Sequence, residues 1–189
     1  MVPTLQVLTP DQGVSFNAVL DNWSAYGDTY AIGYRRAAEI LLRQFLDDAA
    51  AMAAERDRLL LPILYLFRHY LEIRFKDLMV MGSVLQGESA CWPIGHDLDR
   101  LADICGAICE SLLSLKLSDC VIKCVSDLDG LDPNSTNFRY PRDTKGRPIF
   151  DHVVIGSKNL KCVIDKVGNE LDGLSSEIAA RIQAAGMLG

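Results

Sequence analysis

The stretch Leu160-Lys161-Cys162-Val163-Ile164-Asp165-Lys166-Val167-Gly168-Asn169-Glu170-Leu171-Asp172-Gly173-Leu174-Ser175-Ser176-Glu177-Ile178-Ala179-Ala180-Arg181-Ile182 decides the fold class. Its apolar residues Leu160, Val163, Ile164, Val167, Leu171, Leu174, Ile178 and Ile182 keep to one face of a helix over about three heptads. A strand would need alternation with period two, which this stretch lacks. The helical spacing returns upstream. Tyr30, Tyr34, Ala37, Ala38, Leu41, Leu42 and Phe45 mark one helix, with Arg35, Arg36, Glu39 and Arg43 on its other face. Leu64, Phe67, Leu71, Phe75 and Leu78 form the core row of a second, from about Arg56 to Gly82, with Pro62 in its first turn or at a kink. A third begins near His96-Asp97, whose acids Asp97 and Asp99 suit a helix N-terminus, and reaches about Leu115. Ser118-Asp119 is an N-cap signal for a fourth, to about Leu128. The fold expected is all-α, an up-down helical bundle of about five main helices.

The segment from Asp129 to Asp151 breaks this rhythm. Asp132-Pro133-Asn134-Ser135 is turn chemistry. Phe138-Arg139-Tyr140 and Pro148-Ile149-Phe150 flank Asp143-Thr144-Lys145-Gly146 as a short β-hairpin or extended loop insertion. Residues 1–26 hold no sustained period and carry Pro3, Pro10 and Gly13, so they read as an N-terminal lead-in with a short helix around Phe16–Ser24. Asp47 to Ala54 either continues the first helix or bends it. No repeat or linker divides residues 27–185, which read as one helical domain.

Composition narrows the classes. With 49% hydrophobic and 23% charged residues among 189, the chain is not disordered. Its longest uncharged apolar run, Leu59–Phe67, is nine residues and contains Pro62, where a membrane span needs about twenty. Met1-Val2-Pro3-Thr4 puts no basic stretch before an apolar block, so a soluble, cytoplasmic protein is expected. The net charge of −6 opposes loose, whole-surface binding to nucleic acid or anionic lipid. The six cysteines include no Cys-x-x-Cys pair. Cys105/Cys109 and Cys120/Cys124 are each four apart, so two such pairs meeting would make a four-thiolate metal site. Cys105 and Cys109 also fit the apolar row Leu98, Leu101, Cys105, Ile108, Leu112, where free cysteine is an ordinary small core residue. The core reading is preferred, and no motif asks for a metal or other cofactor.

Chemistry gathers on the second helix. At about 100° per residue, Tyr65, Arg68, His69, Glu72 and Lys76 share one arc bordering the core row. Arg68–Glu72 and Glu72–Lys76 are i,i+4 partners. Either this arc is an ion-paired flank packed on a neighbouring helix, or it is a polar pocket where arginine holds an anion and histidine moves a proton. His96, at a helix N-terminus, is disfavoured in its charged form and suits a neutral base or a cap. His69-x-x-Glu72 is single and reversed relative to di-metal carboxylate motifs. The excursion holds Arg139, Tyr140, Arg142, Lys145 and Arg147 against one acid, Asp143. Arginines beside an aromatic on a loop can stack on bases and pair with phosphates; the plainer reading is that Phe138 and Tyr140 anchor the loop while its charges stay solvated.

These pieces, in this order, resemble the bacterial branch of the HEPN superfamily, compact helical proteins common in toxin–antitoxin and phage-defence loci. The resemblance rests on Gly33-Tyr34-Arg35-Arg36-Ala37-Ala38-Glu39-Ile40-Leu41 and on Leu61-Pro62-Ile63-Leu64-Tyr65-Leu66-Phe67-Arg68-His69-Tyr70-Leu71-Glu72-Ile73-Arg74-Phe75-Lys76. It continues through Gly95-His96-Asp97-Leu98-Asp99-Arg100-Leu101, Asp132-Pro133-Asn134-Ser135, Phe138-Arg139-Tyr140-Pro141, Asn159-Leu160-Lys161 and Leu171-Asp172-Gly173-Leu174. It implies an up-down bundle, a homodimer, and in many members metal-independent RNA cleavage by an Arg followed after four to six residues by a His. Here that motif matches only Arg147–His152, inside the excursion instead of at a helix head, with Pro148 where the family has a polar residue. The expected function is therefore a HEPN-like helical protein binding RNA or a cognate protein partner, the alternative being a metal-independent endoribonuclease. Arg68, His69, Glu72 and His96 are the candidate catalytic residues; Arg139, Tyr140, Arg142, Lys145 and Arg147 are the candidate nucleic-acid contacts.

Overall fold

The computed structural model describes residues 28–47 and 53–186. The expected lead-in, the short helix around Phe16–Ser24 and most of the Asp47–Ala54 junction lie outside the described residues. Five helices make up the rest: α1 (Asp28–Asp47), α2 (Ala53–Leu85), α3 (Leu98–Leu113), α4 (Asp119–Leu131) and α5 (Ser157–Ala184). The all-α bundle read from the apolar periods is the fold observed. α2 is its axis, packing against α1, α3 and α5, while α4 closes against α3 and α5. One continuous apolar core takes residues from all five helices, including Leu42, Phe67, Phe75, Leu98, Val121, Ile164 and Ile178. Among the described residues no helix is long and apolar enough to cross a membrane.

Helix ends set by local chemistry fall where the sequence puts them. Asp97 caps α3, its carboxylate accepting from Arg100 N at 2.9 Å, and Ser118 caps α4. Other ends do not. α2 starts earlier than Arg56 and runs past Gly82 to Leu85, with Pro62 as its tenth residue, beyond the first turn and at an exposed position. Gly82 is no stop signal: a Cβ there would lie 2.6 Å from Cγ2 of Ile108, so its absence lets α2 and α3 approach. α3 ends at Leu113, short of Leu115, because Ser114 turns left-handed (φ 55°) and its N–H caps Glu110 O. The excursion is an extended loop with a single isolated bridge, Arg142 to Pro148, and no β-ladder. Pro141 and Pro148 supply no N–H for one.

Candidate functional site

Between Arg68 and Asp77, α2 carries six charged or imidazole side chains, and Arg68, Glu72, Arg74, Lys76 and Asp77 are all buried. Buried charges persist only when paired and hydrogen-bonded, and here two networks do this. The first centres on Arg68, only 1% exposed. Its Nε donates to Asp132 O (2.9 Å), one terminal nitrogen to Glu72 Oε2 (3.2 Å) and the other to His96 O (2.7 Å). Every guanidinium nitrogen thus bonds to the protein, and at 1% exposure Arg68 is closed to an external anion. It pins the start of α3 and the end of α4 to the middle of α2.

Asp132 is fully buried, and the Asp132-Pro133-Asn134-Ser135 turn is built around it. Its Oδ1 accepts from Thr136 N and Asn137 N, both at 2.6 Å, and Ser135 takes a left-handed φ of 56°. Its Oδ2 has no hydrogen-bond partner among the described residues but lies 3.5 Å from Arg68 Nε, so that cation offsets its burial.

Glu72 is the anion shared by this end of the bundle. Its Oε1 accepts from Lys76 Nζ at 2.9 Å and from His96 Nδ1 at 2.8 Å. Burial pushes Glu72 up, but hydrogen bonds from Lys76 and His96 outweigh it and hold the carboxyl below its ordinary range. A carboxylate can only accept, so Nδ1 of His96 carries the proton and Nε2 faces outward from a side chain that is 62% exposed. A carboxylate-oriented, solvent-facing imidazole can take or give a proton at Nε2. His69 is half-buried, its ring 4.4 Å edge-on from Tyr34 and 5.9 Å from a stacked Tyr65. Burial lowers its pKa; Glu72 pulls it back up, and Arg68, Lys76 and His96 each lower it by less than Glu72 raises it.

The excursion splits the two aromatics that the sequence treats alike. Phe138 is buried and stacks on Phe150 at 6.0 Å, anchoring the loop. Tyr140 is 58% exposed, with the Arg139 guanidinium 5.8 Å from its ring centre. Asp143 organises the tip: Oδ1 accepts from Lys145 N and Arg147 N, and Oδ2 accepts from Arg147 Nε at 2.7 Å. Those hydrogen bonds from Arg147 hold Asp143 below the usual carboxylate range. Arg142 donates to Gly146 O, and Arg139, Arg142, Lys145 and Arg147 are all exposed. The motif-matching Arg147 is ion-paired to Asp143, and His152 is exposed outside any helix. Arg68, Glu72 and His96 therefore meet, with His69 at their edge, while Arg139 packs on Tyr140. Because one guanidinium holds both His96 and Asp132, the histidine and the root of the excursion spring from the same end of the bundle.

The second network escapes the sequence reading. Arg35 does not stay on an outer face. It crosses to α5, donating to Asp172 (2.5 Å) and Asn169 (2.6 Å) as well as to Glu39. It fits because Gly168 lacks a Cβ, which would stand 2.5 Å from the guanidinium carbon. Arg74, 1% exposed, pairs with Asp28, Asp77 and Asp172, and Tyr70 donates to Asp172. With Arg74 divided among three carboxylates, burial pushes Asp77 up to about 7. The only signal in the sequence is the charge density of α2, more than one exposed face can hold. Cys105, Cys109, Cys120 and Cys124 are free thiols of the core or its edge, and no three metal-binding side chains converge among the described residues.

No protein-family model, no curated protein and no solved structure matches this chain.

Proposed function

We propose that this chain is a HEPN-like helical protein that binds single-stranded RNA through residues 139–147, acting as a cytoplasmic homodimer in a toxin–antitoxin or phage-defence setting. The observation that carries this reading is the exposed Arg139–Tyr140 pair on an anchored loop, with Arg142 and Lys145 beside it. An arginine lying over an exposed aromatic offers a base a stacking surface and a phosphate a cation together. The loop is already organised by Asp143 and by the Phe138–Phe150 anchor, so little ordering entropy opposes binding. A chain of net charge −6 that concentrates cations here would bind locally, not with its whole surface. The test is retention of a labelled single-stranded RNA on a filter by the wild type and by Arg139→Ala/Tyr140→Ala/Arg142→Ala. Loss of at least tenfold in affinity with unchanged circular dichroism supports the reading. Equal retention by both moves the RNA-binding surface elsewhere, and no retention by either favours a protein partner.

The Glu72–His96 contact favours a second reading, a metal-independent endoribonuclease. Nε2 of His96 would take the 2′-hydroxyl proton as O2′ attacks phosphorus, and cations of the excursion would offset charge on the phosphorane. The P–O5′ bond would then break, with the leaving 5′-oxygen taking a proton from water, giving a 2′,3′-cyclic phosphate. Arg68 is a positioning residue in that scheme, since its nitrogens are spent on Glu72, His96 and Asp132. Cleavage of RNA in EDTA that disappears in His96→Ala and persists in His152→Ala supports the nuclease; intact RNA at high protein concentration removes it.

A further inference from the structure

Between α2, α4, α5 and residues 153–155 lies an open groove of about 700 Å³, within the range of cavities that hold small ligands. Leu64 and Phe67 of α2, Leu128 of α4, Ile155, and Leu160 and Val163 of α5 give it apolar walls. It continues into a hollow of about 180 Å³ that shares Leu64 and Ile155. Val154 stands at the edge, 81% exposed. The polar lining is Lys123, Ser126, Asp127 and Asn159, all at the exposed margin. Lys123 has Asp119 one turn before it and Asp127 one turn after it, and is bonded to neither among the described residues. Some opposite charges at this spacing close, as Arg35–Glu39, Lys161–Asp165 and Arg181–Glu177 do, whereas Lys123 stays open, as Lys166 beside Glu170 does. Among the described residues the margin thus holds a cation and an anion, one helical turn apart, beside an apolar trough that none of those residues covers.

We propose that this groove binds a single-tailed zwitterionic amphiphile, a phospholipid with one acyl chain. Its tail lies along Leu64, Leu128 and Leu160, its phosphate against Lys123 and its ammonium against Asp127. The charges choose the head group. A fatty-acid carboxylate would pair with Lys123 but face Asp127, a cationic head would do the reverse, and a neutral chain would use neither. Ser126 and Asn159 add hydroxyl and amide hydrogens for the phosphate oxygens.

The experiment is isothermal titration of the full chain with dodecylphosphocholine below its micellar concentration. Dodecyl sulfate, dodecyltrimethylammonium and tail-less glycerophosphocholine are the comparison probes. Saturable one-to-one binding is expected. The singly charged detergents should bind at least about threefold more weakly, as the loss of one exposed ion pair implies, and glycerophosphocholine should not bind. Lys123→Glu should weaken dodecylphosphocholine about fivefold and Val154→Asp about tenfold or more. Both side chains are exposed, so circular dichroism should stay that of the wild type. Absence of saturable heat below the micellar concentration overturns the proposal. So does binding that ignores head-group charge and Lys123→Glu, since that would be apolar adhesion alone.

Discussion

Replacing Arg68 by methionine tests the strut at the centre of the bundle. The change keeps most of the side-chain length and removes the guanidinium from a site only 1% exposed. Three hydrogen bonds go, to Asp132 O (2.9 Å), Glu72 Oε2 (3.2 Å) and His96 O (2.7 Å). Glu72 retains Lys76 and His96, so its charge stays compensated. Asp132 does not: its carboxylate is fully buried, and Oδ2 loses the cation 3.5 Å away. Breaking a buried pair from one side typically costs about 3–5 kcal/mol. His96 O loses its donor as well, while Asp132 O keeps Ser135 N at 3.2 Å, which places this site towards the lower end of that range. For a chain of this size that is a fall in Tm of roughly 10 °C. Lys76→Met is the control, because Lys76 has one recorded partner and Glu72 would keep two; it should cost under about 1 kcal/mol. Urea unfolding followed by circular dichroism measures both. An Arg68→Met cost below about 1 kcal/mol, or equal costs for the two variants, would refute the strut.

Other consequences follow from the second network. The native pKa of Asp77 is raised to about 7 from an ordinary 3.8, so the folded state holds its proton more tightly than the unfolded chain does. Its contribution is complete below about pH 4 and is lost as pH rises through about 7, to the extent of at most about 4 kcal/mol. Urea midpoints between pH 5 and 8 should fall for the wild type and flatten in Asp77→Asn; parallel curves would contradict the assignment. Gly168→Ala puts a methyl 2.5 Å from the guanidinium carbon of Arg35, which Glu39, Asn169 and Asp172 hold in place. It should destabilise by about 1–3 kcal/mol despite alanine's better helix propensity. In an Arg35→Ala background the same change should become neutral or stabilising by up to about 1 kcal/mol, and a thermal melt that keeps its original sign there would refute the steric account.

The parts legible in the sequence are those whose physics is local. The apolar stripe from Leu160 to Ile182, the caps at Asp97 and Ser118, and the i,i+4 contacts Arg68–Glu72 and Glu72–Lys76 depend on residues within one or two turns. What completes the site is distant: Arg68 reaches a carbonyl 28 residues ahead and another 64 residues ahead. Periodicity assigns Arg35 to the outer face of α1, and only α5 with its gap at Gly168 draws it inward. The turn at residues 132–135 reads as a turn, but nothing local says that its aspartate is a buried acceptor facing Arg68. In the excursion, Phe138 and Tyr140 are equivalent by composition. Which one anchors is settled by the position of Phe150 across the loop. Gly82, likewise, looks like a terminator until Ile108 is seen against it.

The most direct test of the RNA-binding reading is the salt dependence of single-stranded RNA binding, followed by fluorescence anisotropy. With Arg147 tied to Asp143, three exposed cations, Arg139, Arg142 and Lys145, remain for phosphates. Single strands release about 0.7 counterion per phosphate neutralised, so log K against log salt should fall with a slope of about −2. Arg139→Ala should reduce that slope by about 0.7 without unfolding the bundle. A slope near zero, or one unchanged in Arg139→Ala, would contradict RNA recognition by this loop.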